Sequence, residues 1–245
     1  MHATDWPIHR FDTLDSTSDE ARRRVVAGRC DGPFVIQADR QTKGRGRGAN
    51  SWWSDEGSLL VTLALDPASL GIALRHESRL ALIAALAVID ALPSLGAEIR
   101  WPNDVEIGGR KLAGVLPERV ETDRGPWLLV GVGINVTTNF DLAPADVRRL
   151  AISLIEVDPS TSDNATLLSR VLDHFDTHQR RLVADDPSLM ERWNALDSLR
   201  GMSVRVRQGD QILTGLGHGI GPDGSLRLAT DEGVLTIYGG QILRG

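Results

Sequence analysis

Residues 98–135 read EIRWPNDVEIGGRKLAGVLPERVETDRGPWLLVGVGIN, and four strand-like pieces stand out in them, at 98–101, 105–107, 111–120 and 127–132. Gly108-Gly109 is a strong hairpin signal, because a two-residue turn of the primed kind needs positive φ at both central positions. The spacing therefore predicts strands joined by tight turns. The last of them ends in Gly131, Gly133, Ile134 and Asn135.

The flanking sequence supplies helices to cover such a sheet. Residues 77–92, ESRLALIAALAVIDAL, are apolar on nearly every face and predict a core helix stopped by Pro93 and Gly96. Asp15-Ser16-Thr17-Ser18, with Asp19 and Glu20 in the first turn, starts another helix that runs to about Gly28. Residues 33–38 and 58–65 predict buried strands, and 8–11 a short one. Helical spacing returns at 146–155, 164–183 and 187–196. From Gly201 the texture changes to period two, with turn signals about every ten residues, which predicts a small β-barrel. The expectation is an α+β chain with a domain boundary near residue 200, giving units 1–199 and 200–245.

Composition narrows the class. Hydrophobic residues make up 41% and charged residues 24% of the 245 positions, which excludes wholesale disorder. The longest apolar stretch, 80–89, ends at Asp90 and is too short to span a bilayer. MHATDWPIHR at the start carries Asp5 and no apolar core, so no secretory signal is visible. Cys30, the single cysteine, has no internal partner for a disulfide. A soluble, cytoplasmic protein is expected, with no membrane association. The net charge of −6 argues against a general polyanion-binding surface, hence against DNA. Of 27 basic residues only Lys43 and Lys111 are lysine, and both stand beside glycine-rich segments.

Three segments carry chemistry. In 39–48, DRQTKGRGRG, the cations Arg40, Lys43, Arg45 and Arg47 alternate with glycines that let backbone N–H groups approach an anion. Arginine supplies paired contacts to carboxylate or phosphate. A solvated basic loop would look similar. The flanking buried strands and Trp52-Trp53 favour a small anionic ligand, and the segment lacks the Gly-Lys-Ser/Thr of a P-loop. In Arg100-Trp101-Pro102-Asn103-Asp104, the last pair suits either a nucleotide and Mg²⁺ or an Asx turn opening the hairpin. Lys111 sits among Leu112, Val115 and Leu116, as an active-site ammonium or as an exposed edge-strand lysine.

Taken in order, DSTS, QTKGRGR with Trp52, WPND, GRKLAG, GVGIN and a small C-terminal barrel resemble the biotin–protein ligases, or biotin–[acetyl-CoA-carboxylase] ligases. The resemblance runs from about Asp15 to the C-terminus. It implies a class II synthetase-like catalytic domain, a mixed sheet with helices packed on one side, plus an SH3-like β-barrel. It implies ATP and biotin as substrates with Mg²⁺, through biotinyl-5′-AMP, and a lysine of a biotin carboxyl carrier protein as acceptor. Ser16, Thr17, Ser18 and Gln41 would then bind biotin, with Gly44, Gly46, Gly114 and Gly133 lining its pocket. Arg45, Arg47 and Lys111 would be catalytic, holding carboxylate and α-phosphate. Trp52, Arg100, Asn103, Asp104 and Asn135 would serve the nucleotide, Asp104 also facing Mg²⁺. Relatives of this kind occur as monomers and as homodimers.

The sequence departs from the family pattern in three places. Gly48, Ala49 and Asn50 stand where further arginines are common, Arg100 where lysine is usual, and Ser18 where asparagine is frequent. Only fourteen residues precede Asp15, so the winged-helix domain of the ligase–repressor variety is not expected. Rival readings are a lipoate–protein ligase, which shares the chemistry, a non-catalytic binder of biotinyl-AMP or nucleotide, and a basic-loop nucleic-acid module.

An enzyme that makes a lysine-reactive acyl adenylate modifies itself less when its own surface lacks lysine. Surface Arg→Lys variants incubated with biotin and ATP are expected to gain biotin at the new lysines. Intact-mass spectrometry checks this, and unchanged masses would sink the idea.

Overall fold

The computed structural model describes residues 2–54, 56–92, 95–160 and 163–244. In chain order the strands of the larger sheet are β1 (Ile8–Leu14), β2 (Phe34–Gln41), β3 (Ser58–Leu65), β4 (Ala97–Arg100), β5 (Asp104–Ile107), β6 (Arg110–Thr122) and β7 (Gly125–Asn135). The helices are α1 (Thr17–Val26), α2 (Pro67–Leu70), α3 (Leu80–Ala91), α4 (Ala145–Leu150), α5 (Asn164–Val183) and α6 (Ser188–Ala195).

The sheet runs β1-β2-β3-β7-β6-β5-β4. Only β1 and β2 are parallel, and α1 is the crossover that a parallel pair requires. All other neighbours are antiparallel, so the sheet is mixed. The β5–β6 turn is Gly108-Gly109, with φ of 56° and 75° as its length demands. Every residue of β3 is buried, which is why SLLVTLAL reads as one apolar run instead of alternating.

Helix α3 is buried nearly all round, sandwiched between the sheet and the amphipathic α5. Asp163 caps α5, accepting from the N–H groups of Ala165 and Thr166 at 3.0 and 3.2 Å. These helices share one face. Helix α1 departs from the expected one-sided layering and packs Ala21 and Val25 on the other face, against Phe34, Ile36, Ala64 and Leu129. Gly96 follows α3 as expected; Pro93 lies outside the described residues. No helix among the described residues is long and apolar enough to cross a membrane.

One expected helix is broken. Residues 146–155 give α4, then an extended piece, then a 3₁₀ turn at Leu154–Glu156. The extended piece pairs instead with Lys111: Ala151 bridges to it, and the Ile152 N–H donates to its carbonyl at 3.0 Å. Periodicity within 146–155 carries no trace of that long-range bond, and tertiary pairing overrides it.

The C-terminal strands β8 (Ser203–Gln208), β9 (Gln211–Ile220), β10 (Leu226–Thr230), β11 (Gly233–Ile237) and β12 (Gln241–Leu243) form a second sheet, ordered β11-β10-β9-β8-β12. It shares the main core through Val204, Val206 and Leu228. The Asn194 side chain exchanges two 2.9 Å hydrogen bonds with the Ile220 backbone, and Trp101 donates its indole N–H to the Gly224 carbonyl.

The junction buries a carboxyl. Asp197 is 7% exposed, accepts from the Leu199 N–H at 3.0 Å, and has no hydrogen-bond donor for Oδ2. Burial pushes its pKa up to about 6, from 3.8. A carboxyl that binds its proton more tightly in the folded state stabilises the fold below pH 3.8 and loses that contribution as pH rises through 6. Asp197→Asn is therefore expected to stabilise the protein by up to about 3 kcal/mol at pH 7.5 and to change little at pH 4. Urea unfolding of both proteins at the two pH values checks it; the same difference at both would contradict it.

Candidate active site

A cavity of about 420 Å³ opens where the start of α1, the end of β2, the 42–57 loop, the β4–β5 turn, the centre of β6 and β7, and β12 converge. All the residues to which the resemblance gives a site role line it except Gly44 and Asn135. Lys43 and Arg40 do not line it.

One end is a hydroxyl relay. Thr62, on β3, donates to Thr17 Oγ1 at 2.9 Å, and Thr17 donates in turn to Gln41 Oε1 at 3.1 Å. Ser18 must therefore give its proton to Thr62, 3.1 Å away. The Thr17 N–H also donates to Gln41 Oε1 at 2.7 Å. The relay commits the Gln41 carbonyl and leaves its amide N–H groups free to donate. Thr62 escaped the sequence reading; its signal was a hydroxyl in the middle of an otherwise apolar buried run.

The floor is bare backbone. Gly114 and Gly133 face each other across β6 and β7, and the Trp52 ring lies over them. A Cβ on Gly133 would stand 2.7 Å from the indole, and one on Gly114 2.9 Å from it. Neighbouring Gly131, which the sequence placed in the same strand end as Gly133, leaves room for Ser18 Oγ in the same way. Gly44 acts from outside the cavity, since a Cβ there would meet the Trp52 carbonyl at 2.7 Å.

Residues 45–51 of the loop form a small hairpin. Arg45 bridges to Ser51, and the Gly46 N–H donates to the Asn50 carbonyl at 2.8 Å. Gly48, with φ of 61°, makes its tip. The positions lacking the family's extra arginines are thus the turn of this hairpin.

Most cations at the cavity already have partners. Lys111 Nζ lies 2.6 Å from Asp104 Oδ1 and 5.3 Å from the Trp52 ring centroid. The Lys111 ammonium therefore occupies Asp104 Oδ1 as a close ion pair. Arg45 pairs with Glu118 and lies 3.4 Å from Asp19. Arg100 lies 3.8 Å from buried Glu106, whose pKa burial pushes up and which also binds Arg244 beyond β12. Arg47 is the exception. It is half-buried, donates to the Gly240 carbonyl at 3.1 Å, and among the described residues has no carboxylate at ion-pair distance. Burial lowers its pKa while leaving it charged at neutral pH. Asp104 attracts it only from beyond ion-pair distance, so this partly desolvated cation retains the capacity to take an anionic ligand.

Asn135 and Asn103 serve the backbone. Asn135 donates to the Lys111 and Ile152 carbonyls, both at 3.2 Å, so it fixes the start of β6 from behind. Asn103 lines the cavity, but its amide donates to the Val115 carbonyl at 2.7 Å, which ties the β4–β5 turn to β6 and is neither the nucleotide contact nor the local Asx turn its sequence left open. Among the described residues no cluster of three His, Cys, Asp or Glu could hold a metal alone.

Residues 11–135 match the biotin/lipoate A/B protein ligase family, and residues 201–245 match the biotin protein ligase C-terminal domain. The chain belongs to this ligase family. It is 32% identical over 240 residues to the bifunctional ligase/repressor BirA of Bacillus spizizenii, covering 96% of this chain and 73% of that one. Identity to the biotin–[acetyl-CoA-carboxylase] ligase of Mycobacterium tuberculosis is 30%, over 91% and 82% of the two chains. The fold is similar to that of the biotin protein ligase of Aquifex aeolicus solved with biotin and ATP, at a TM-score of 0.81, 26% identity and 97% coverage of both chains.

The unpaired cation makes the family site a stability cost without ligand. Arg47→Met is expected to melt at the same or a higher temperature than the parent in ligand-free buffer. Adding ATP and Mg²⁺ at about 100 times the parent's Kd should stabilise the parent by about 2.7 kcal/mol and the variant far less. Thermal melts with and without nucleotide check it; an equal shift in both would remove Arg47 from the anion site.

Proposed function

We propose that this chain is an ATP-dependent biotin–protein ligase. In this reading it activates biotin as biotinyl-5′-AMP and passes it to a lysine of a biotin carboxyl carrier protein. The observation that carries the reading is the unpaired Arg47 beside the Lys111–Asp104 pair, over a glycine floor that ends in the hydroxyl relay. A small ligand with a polar head and an acid tail fits that order.

The relay at Ser18, Thr17 and Gln41 takes the head group of biotin, offering Gln41 amide donors and Ser18 lone pairs. The acid tail then points at Lys111 and the arginine loop. Carboxylate and α-phosphate repel each other, and preorganised cations in a site that excludes water offset this far better than in bulk. Lys111, moving from Asp104 to the ligand, lies between the two groups, with Arg47 on the phosphate. A carboxylate oxygen forms the new bond to phosphorus, and pyrophosphate leaves. The amine of the acceptor lysine next attacks the acyl carbon, the carbon–oxygen bond to AMP breaks, and an amide remains. Trp52 walls the adenylate from water, and Asn135 positions Lys111 without touching substrate. Asp104, whose Oδ1 is released when Lys111 moves to the ligand, would hold a magnesium ion brought by the nucleotide, which would supply further charge neutralisation on the phosphates.

The proposed units are a catalytic domain of residues 1–199 and a C-terminal domain of residues 200–245. The working location is the cytoplasm. Net charge −6 gives no reason to count DNA among the partners.

Pyrophosphate release with ATP and Mg²⁺ plus biotin, lipoate or no acid tests the reading. Release with biotin alone supports it, release with lipoate moves the assignment to that acid, and no release overturns it. Lys111→Ala is expected to lower the biotin-dependent rate roughly 10²–10³-fold, the loss typical of one preorganised charge donor.

A further inference from the structure

The loop bearing Arg45 and Arg47 is held from outside the cavity. Glu118 on β6 does not line the cavity, yet its two carboxylate oxygens hold arginines from two other elements. Its Oε1 accepts from Arg22 Nη2 of α1 at 3.0 Å, and its Oε2 accepts from Arg45 Nη2 of the loop. Asp19, also on α1, lies 3.4 Å from Arg45 Nε. The four charges alternate in sign, Asp19, Arg45, Glu118, Arg22, and cancel. The Glu118 side chain is only 19% exposed, so its bonds are not those of a solvated surface pair.

The hydrogen bonding of Arg45 is incomplete. Its Nε is buried and has no hydrogen-bond acceptor, because the Asp19 contact is a charge contact only. One edge of the guanidinium is therefore fixed by Glu118 while Nε–H is still available. The loop is rooted where the Thr42 and Lys43 N–H groups bond to the Leu14 and Asp15 carbonyls, and further along Arg47 bonds to the Gly240 carbonyl, Trp52 lies over the glycine floor and the Gly57 carbonyl accepts from Val136 and Thr137; the Glu118 bond is the tether at Arg45 itself.

We infer that Glu118 is a positioning residue: it latches Arg45, and with it the 42–57 loop, onto α1 and β6. The inference rests on the ligase reading for its ligand. With the latch made, Arg45 and Arg47 stand over the adenylate without a conformational search, so the bound intermediate escapes slowly. Helix α1 carries the latch at Asp19 and Arg22 and the head-group residues in its first turn, so both grips belong to one rigid element. Glu118 touches neither substrate nor the reacting atoms. Its loss should therefore act on retention of biotinyl-AMP more than on the rate of its formation.

The test uses the full chain. Biotinyl-AMP is formed from biotin, ATP and Mg²⁺, and its release is followed in a chase for the parent, E118A, E118D, R45A and R45A/E118A. Release should quicken about tenfold or more in E118A and in R45A, the size expected for a charged hydrogen bond. The double variant should be no worse than the faster single one, because both remove the same bond. E118D, which keeps the charge, should restore most of the retention, and the kcat of adenylate formation should fall much less than retention does. A second arm needs no ligand: trypsin cleavage after Arg45 and Arg47, located by mass spectrometry, should be faster in E118A than in the parent. E118Q replaces E118A in both arms if the alanine variant does not fold. Parent-like release in E118A, additive effects in the double variant, or unchanged cleavage would each overturn the latch. A parent protein that makes no biotinyl-AMP would instead overturn the ligase reading, and the cleavage arm would then decide the latch alone.

Discussion

A guanidinium with no carboxylate beside it is the constraint on which the site depends. Arg47 gives up part of its hydration and receives one backbone carbonyl in return. Such a group survives in a folded protein only if the surrounding structure is stable enough to carry it and a ligand repeatedly relieves it. The surroundings meet that demand. The glycine hairpin brings Arg47 over the cavity, and the neighbouring cations are already neutralised by Asp104, Glu106, Glu118 and Asp19. One open charge thereby aims at one place, where four open charges would attract counter-ions indiscriminately.

Rigidity around that charge comes from the sheet. β3 is buried along its full length and β7 nearly so, with helices on both faces, so the glycine floor between β6 and β7 does not yield. Lys111 starts β6, where a strand would ordinarily fray. Residues 151–153 leave helical geometry to pair with it, and Asn135 ties the two chain segments together. A flexible side chain is thus mounted on a fixed backbone, which lets its ammonium exchange partners without moving the strand.

Much of this was legible in the residues alone. The hairpin at Gly108-Gly109, the all-apolar α3, the basic glycine loop and the change of texture at Gly201 follow from local rules of turn geometry and periodicity. What stayed hidden depends on contacts between distant residues. Nothing near Ala151 records its bond to Lys111, and nothing in α1 says which face of the sheet it covers. Thr62 and Gly131 look like ordinary members of buried strands until Thr17 and Ser18 are brought against them. Glu118 reads as one more charge on an alternating strand; its partners lie 73 and 96 residues away. Asn135 stands in the expected motif, but its side chain turned to the backbone, a choice that spacing does not encode.

Gln241, Ile242 and Leu243 belong to the second sheet, yet they wall the cavity, and Arg244 after them reaches Glu106 and the Gly109 carbonyl. The proposed division near residue 200 therefore cuts across the cavity. A chimaera that grafts a relative's last forty-odd residues onto this chain would inherit a foreign panel in its own binding site. Swapping what looks like an accessory module is, for this architecture, a way of re-tailoring the pocket itself.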